Sequence, residues 1–200
     1  MKRIVNGGVA MLDDTPYQVW GNSKTKQLYE IILMKTYNQM NAMLSHHCKV
    51  LVIRFDLRMT EYSPTNEVVS EIMRVMVKQL KQHYKMKRVG YVWAREQASS
   101  DKQHYHCALM IDGNKTRHPK KVLERLECIT DARNQLPPYT PKNCYYNVTR
   151  GDLKAFSSAL YRLSYLAKVN TKGMRPTFTN DYSTSRVKHN SNQPLTMKPK

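Results

Sequence analysis

Residues 90–97 and 104–111 read GYVWAREQ and HYHCALMI, two alternating stretches joined by the polar residues 98–102. Such a pair around a short polar link is the pattern of a β-hairpin, and a hairpin commits the chain to an antiparallel sheet. Side chains two apart on a strand share a face, with their Cα atoms about 7 Å apart. His104 and His106 therefore point one way, and Tyr105, Cys107, Leu109 and Ile111 point to the other, core-forming side. A slip of one residue would exchange the two faces, so burial fixes the register. With Tyr91 and Trp93 on the core side, Val92, Ala94 and Glu96 lie with the histidines, and Glu96 is expected beside His104 and His106.

Two imidazoles and one carboxylate leave coordination positions open. Such a set suits a divalent cation that takes part in chemistry better than a closed structural site. Blander uses of the same residues stand beside this one. A His-x-His pair can simply hydrogen-bond at a sheet surface, and Glu96 can pair with Arg95 or with Lys102 across the hairpin. Three candidate ligands converging on one deduced face put the metal on a par with these uses.

Charge narrows the partner. Thirty-three Lys and Arg face fifteen Asp and Glu, a net +18 with a pI near 9.8. A field of that sign attracts polyanions, and nucleic acid is the expected partner. An anionic membrane is the competing partner, but the sequence has no apolar run long enough to span one and no basic amphipathic segment at a terminus. Cys48, Cys107, Cys128 and Cys144 are scattered with no C-x-x-C pair. With no secretory leader apparent, they are expected to be reduced thiols of a cytoplasmic protein.

Along the chain, residues 1–22 lack sustained periodicity and are interrupted by Gly7, Gly8 and Pro16. Residues 23–45 carry Leu28, Ile31, Ile32 and Leu44 in a pattern compatible with an amphipathic helix. Residues 50–58 alternate, with Leu51, Ile53, Phe55 and Leu57 opposite Arg54, Asp56 and Arg58, as a half-buried strand does. Ser63 and Pro64 can start the next helix as cap and first turn. Its buried stripe is Val68, Val69, Ile72, Met73, Met76 and Leu80. After the hairpin, residues 119–134 read as a helix, 145–149 as a short strand and 151–169 as the last helix. From Gly173 on, the chain reads as a loose basic tail. The order favours an α+β fold, a two-layer sandwich in which helices cover the sheet face opposite the histidines. The open face would carry Arg54, Asp56, Arg58, Glu96, His104 and His106.

In the last helix Leu153, Phe156, Leu160, Leu163 and Ala167 form an apolar stripe, and Tyr161, Tyr165, Lys168 and Lys172 recur on a second face. A tyrosine beside lysines suits phosphoryl transfer, because a nearby cation favours the phenolate or neutralises phosphate charge. A packing role for Tyr161 and a dipole-complementing role for the lysines are the alternatives.

Glu96, HYH at 104–106 and YLAK at 165–168 resemble the metal and tyrosine motifs of HUH endonucleases. VWAREQ, QHYHCALM and YRLSYLAKVNTK resemble, more narrowly, the inovirus-type rolling-circle replication initiators of filamentous phages and prophages. The likeness runs in order through residues 50–172. It implies a nicking core over 48–172, preceded by an N-terminal segment (1–47) and followed by a flexible basic tail (173–200). It also implies Mg²⁺ or Mn²⁺ on Glu96, His104 and His106, Tyr165 as the nucleophile and Lys168 as its partner. Single-stranded origin DNA would be joined to the protein through a 5′-phosphotyrosine, and a host helicase and polymerase would act with it. Some two-tyrosine relatives carry a second nucleophile four residues after the first. Val169 stands there, which leaves Tyr161 as the only nearby substitute. Arg54, Arg58 and Lys172, with the basic cluster from Lys81 to Arg88 and the tail, are expected to grip the DNA backbone. A noncatalytic DNA-binding regulator, an HUH transposase or relaxase, and an RNA-binding module are the alternative readings.

Overall fold

A computed structural model of the chain describes residues 3–21, 26–97, 101–170, 172–173 and 175–193. The strands are β1 (Ile4–Asn6), β2 (Gly8–Leu12), β3 (Thr15–Val19), β4 (Gln27–Tyr29), β5 (Lys49–Arg58), β6 (Gly90–Glu96), β7 (His104–Asp112), β8 (Tyr145–Thr149) and β9 (Tyr182–Thr184). The helices are α1 (Glu30–His46), α2 (Glu67–His83), α3 (Lys120–Asp131) and α4 (Leu153–Ser164), which runs into a 3-10 turn at Tyr165–Ala167.

The fold is α+β, as expected, around a five-stranded antiparallel sheet in the order β8-β5-β7-β6-β9. The hairpin register is the one burial dictates: Glu96 stands opposite His104, and Ala94 opposite His106. From the other side β5 places Asp56 against His106 and Arg58 against His104. Residues 98–100 of the expected linking loop lie outside the described residues.

Helices α2 and α3 cover the face opposite the histidines. There Val69, Ile72, Met76, Leu80, Val122 and Leu126 pack on Leu51, Ile53, Phe55, Tyr105, Cys107 and Leu109. The histidine face differs from the open surface expected of it. One half takes a second core, in which Ile32, Leu33, Met40 and Met43 of α1 and Phe156, Leu160 and Leu163 of α4 bury Val50, Val52, Val92, Ala108 and Met110. Polar side chains on that face begin only at Arg54 of β5 and below Ala108 of β7, and the helices stop covering it there.

Several boundaries move. The helix expected over 23–45 begins at Glu30, because Gln27–Tyr29 pairs with β1 as a strand; residues 22–25 lie outside the described ones. Ser63 and Pro64 do not open α2, which starts after Asn66. Their stretch is instead an extended turn whose Ser63 and Thr65 carbonyls accept from the buried Arg95 guanidinium at 2.7 and 2.9 Å. The unassigned N-terminus holds the β2–β3 hairpin, turned by Asp13 and Asp14, both with positive φ. That conformation is what a two-residue hairpin turn of the primed type demands. Its inward residues Ala10, Leu12, Tyr17 and Val19 join the core against Phe156. Nor are the described residues after Gly173, 175–193, loose. Arg175 is paired with Asp181, and Tyr182–Thr184 forms β9 on the outer edge of β6.

Candidate metal centre and its tyrosine

Strand β7 delivers His104 and His106, and β6 delivers Glu96, so the three ligand atoms lie within 4.8 Å of one another. His106 Nε2 is 3.1 Å and His104 Nε2 3.7 Å from Glu96 Oε2. An ion about 2.1 Å from each of two ligands holds them about 3.0 to 3.4 Å apart at right or tetrahedral angles, a range that the 3.1 Å pair meets and the 3.7 Å pair exceeds. His106 Nε2 and Glu96 Oε2 are both buried, and neither makes a hydrogen bond. Two polar atoms facing each other without a bond between them are what a cation would satisfy. The group can therefore hold a metal ion.

The second layer prepares it. His106 Nδ1 lies 2.8 Å from Asp56 Oδ1. Donation of Nδ1–H to that carboxylate leaves the Nε2 lone pair turned toward Glu96, the arrangement common to metal-bound histidines. Arg54 Nη1 pairs with the same Asp56 oxygen, and Arg54 Nη2 lies 2.9 Å from His106 Nδ1. Burial pulls the pKa of His106 down to about 4, against the opposing charge of Glu96, so the ring stays neutral near pH 7. Burial alone would raise the Glu96 carboxyl. The two facing imidazoles and the charge of Lys172 outweigh it and hold the group far below the usual carboxylate range.

Two lysines close on that carboxylate. Lys172 Nζ is fully buried, 2.6 Å from Glu96 Oε1, and also donates to the Lys168 carbonyl at 2.9 Å. Lys168 Nζ lies 3.2 Å from Glu96 Oε2 and donates to the Tyr165 hydroxyl at 3.1 Å. Burial works against the Lys168 ammonium, but the Glu96 charge and the Tyr165 bond raise its pKa above the ordinary lysine value. A single amine thus links the phenol to the candidate ligand set.

The 3-10 turn makes this link possible. The helix expected to continue to residue 169 ends at Ser164, and in the tighter turn residues three apart eclipse. Tyr165 and Lys168 are such a pair, and the Lys168 N–H closes the turn on the Tyr165 carbonyl at 3.1 Å. The Tyr165 ring is held edge-on by Trp20 and by His106, each with centroids 5.0 Å away, and the Arg54 guanidinium stands 5.8 Å from its centroid. The Trp20 N–H is anchored on Ser164 Oγ at 2.7 Å.

Two clefts open on the cluster. One of about 450 Å³ is lined by Asp56, Arg58, Lys102, His104, His106 and Leu136 among others. Another of about 180 Å³ is lined by Arg54, Asp56, His106, Tyr139, Arg162 and Tyr165 with Pro141. His106 and Asp56 line both, so the two imidazoles are reached from one side and the phenol from the other.

The expected site residues divide accordingly. Glu96, His104, His106, Tyr165 and Lys168 come together. Arg58 is exposed at the mouth, its guanidinium 5.0 Å from the Tyr139 ring centroid. Arg54 and Lys172, expected to grip DNA from the surface, are buried: one braces Asp56 and His106, and the other neutralises Glu96. Tyr161 is 46 % exposed and lines neither cleft. Asp56 and Trp20 were not singled out, although the pairing of Asp56 with His106 follows once β5 is set beside β7.

Fold and site thus define an α+β domain with a candidate two-histidine, one-carboxylate metal centre beside a lysine-bound tyrosine. The chain belongs to the YagK/YfjJ C-terminal domain family, whose model matches residues 18–181. No curated protein and no solved structure matches it. No helix among the described residues is long and apolar enough to cross a membrane.

Proposed function

We propose that the chain is a metal-dependent DNA-nicking enzyme of the HUH type that joins itself to one strand through Tyr165. The observation that carries this reading is the bridge of Lys168 between the Tyr165 hydroxyl and Glu96. Nucleophile, cation and candidate ligand set meet at one point that the two clefts reach. Held by Glu96, His104 and His106, Mg²⁺ or Mn²⁺ would supply Lewis-acid polarisation of a phosphate oxygen.

The chain's own residues supply the rest. Lys168 donates to the phenolic oxygen and places a positive charge where phosphate charge develops. Trp20 and His106 fix the ring, so the oxygen has one direction of approach. Tyr165 Oη forms a bond to phosphorus as the phosphorus to 3′-oxygen bond breaks. The phenolic proton is given up, and the departing 3′ oxygen gains one to become a hydroxyl. A phosphodiester is exchanged for a phosphotyrosyl ester, so the 3′ hydroxyl can reverse the step. Arg58 at the cleft mouth meets the neighbouring backbone. One phenol serves the reaction, since Tyr161 lies outside both clefts. Motif resemblance favours replication initiation among the tasks such chemistry serves, with single-stranded origin DNA as substrate and a host polymerase and helicase acting on the freed end.

The test is incubation with single-stranded DNA and Mn²⁺ followed by denaturing electrophoresis. A protein–DNA adduct mapped to Tyr165 and lost in Tyr165→Phe is expected. An undiminished adduct in that variant, or DNA binding with no metal-dependent cleavage across a pool of randomised strands, would remove the nuclease reading in favour of a noncatalytic DNA-binding protein.

A further inference from the structure

At the other end of β6 lies a groove of about 1140 Å³, more than twice the size of the cleft at His104. Its lysines and arginines come from three places: α2 with Arg74 and Lys81, the loop with Lys87 and Arg88, and the segment after β9 with Arg186 and Lys188; His46 at the end of α1 also lines it. No Asp or Glu lines it. Arg74 is occupied by Glu71 at 2.8 Å. The other five cations have no acidic partner among the described residues, and all but Arg88, which is partly buried, are exposed. Ser183, Thr184 and Ser191 add polar groups to the same walls.

Lysine near the end of a helix commonly complements the dipole, and Lys81 alone would need no more than that. The groove differs because like charges from three separate segments converge with no acid between them. That costs folding energy which an anionic ligand would recover. The apolar lining is Val77, Val89, Tyr91 and Val187, of which Val89 is buried and the other three partly so, leaving little to insert into a bilayer. A concave, evenly basic trough fits a repeating anion better than a flat membrane surface.

We propose that this groove binds the sugar–phosphate backbone of DNA flanking the segment held in the active-site cleft. The identity of the ligand as DNA rests on the function proposed above; the polyanion site itself does not. Tyr91 borders the groove and Glu96 ends the same strand, five residues further on, so the two sites lie about 17 Å apart along β6. At about 3.4 Å per nucleotide, a stacked strand shorter than about five nucleotides cannot occupy both.

The experiment uses the full chain carrying Lys81→Gln, Lys87→Gln, Arg186→Gln and Lys188→Gln together, all at exposed side chains, with circular dichroism confirming the fold. Binding of DNA of about 25 nucleotides is measured against salt in EDTA, where each lost phosphate contact lowers the slope of log K on log salt by about 0.7 to 0.9. The variant is expected to lose about 3 in slope and at least about tenfold in affinity, while a strand of about four nucleotides binds as before. An unchanged slope with the long DNA overturns the proposal. That holds also where the variant sheds binding to phosphatidylcholine vesicles containing about a quarter phosphatidylserine, which would make the groove a lipid-headgroup site. Tyr165→Phe separates this inference from the nicking reaction, because it removes the adduct and leaves the salt slope intact.

Discussion

One face of the central sheet is built in two ways. Over Val50, Val52, Ala108 and Met110 it is sealed by α1 and α4 into a dry core. A few residues along the same strands it carries Asp56, His104 and His106 on the walls of open clefts, with Glu96 buried beside them. The backbone hydrogen bonding is continuous across both halves, so the difference lies entirely in the side chains and in what they need as partners. The sealed half is held by non-directional burial. The other half is held by a chain of charges, Asp56, Arg54, Glu96, Lys168 and Lys172, in which each group is tolerated only because of the next. The proposed chemistry sits where the fold depends on pairing, because there a ligand can take the place of a partner.

This contrast can be broken from either side. The largest effect is on reactivity: Tyr165→Phe should leave no covalent adduct above background in denaturing gels while melting at the temperature of the unaltered protein. Lys172→Met leaves the Glu96 carboxylate buried without its closest cation and should cost about 3 to 5 kcal/mol in urea unfolding. Added Mn²⁺ should recover part of that, as mass action requires of a ligand that binds only the folded state. In the sealed half Leu160→Ala should cost about 2 to 4 kcal/mol, with no recovery on adding metal. The smallest effect expected is that of Asp56→Asn, which weakens the hold on His106 rather than removing a ligand. It should lower Mn²⁺ affinity by about 10- to 100-fold in calorimetric titration with the fold intact. If metal rescued the Leu160 variant and failed to rescue the Lys172 variant, the division of the face into two regimes would be lost.

The hairpin register was legible because its two faces differ so sharply in polarity, and Glu96 opposite His104 follows from that alone. The sealed half was legible in principle, since β5 alternates polar with apolar only from Arg54 onward and Val50 and Val52 ask for cover. Arg54 and Lys172 were misplaced for a general reason: a charged side chain reads as solvent-facing unless its buried partner is known, and Glu96 is 76 residues from Lys172. The β2–β3 turn escaped because Asp13 and Asp14 take positive φ without the glycine that usually marks it. The 3-10 turn escaped because YLAK continues the helical spacing of α4; only its pairing with β4, through Leu28 and Lys168, shows that the helix has ended.

Strand β9 has a consequence of a different kind. It is the outermost strand of the sheet and pairs with β6, which carries Glu96. A chain cut short before Tyr182 would leave the row of amides and carbonyls along β6 unpaired, a template on which a second molecule could lay a strand of its own. Shortened versions of this protein should therefore be prone to aggregate edge to edge, even with every metal ligand and the tyrosine still present.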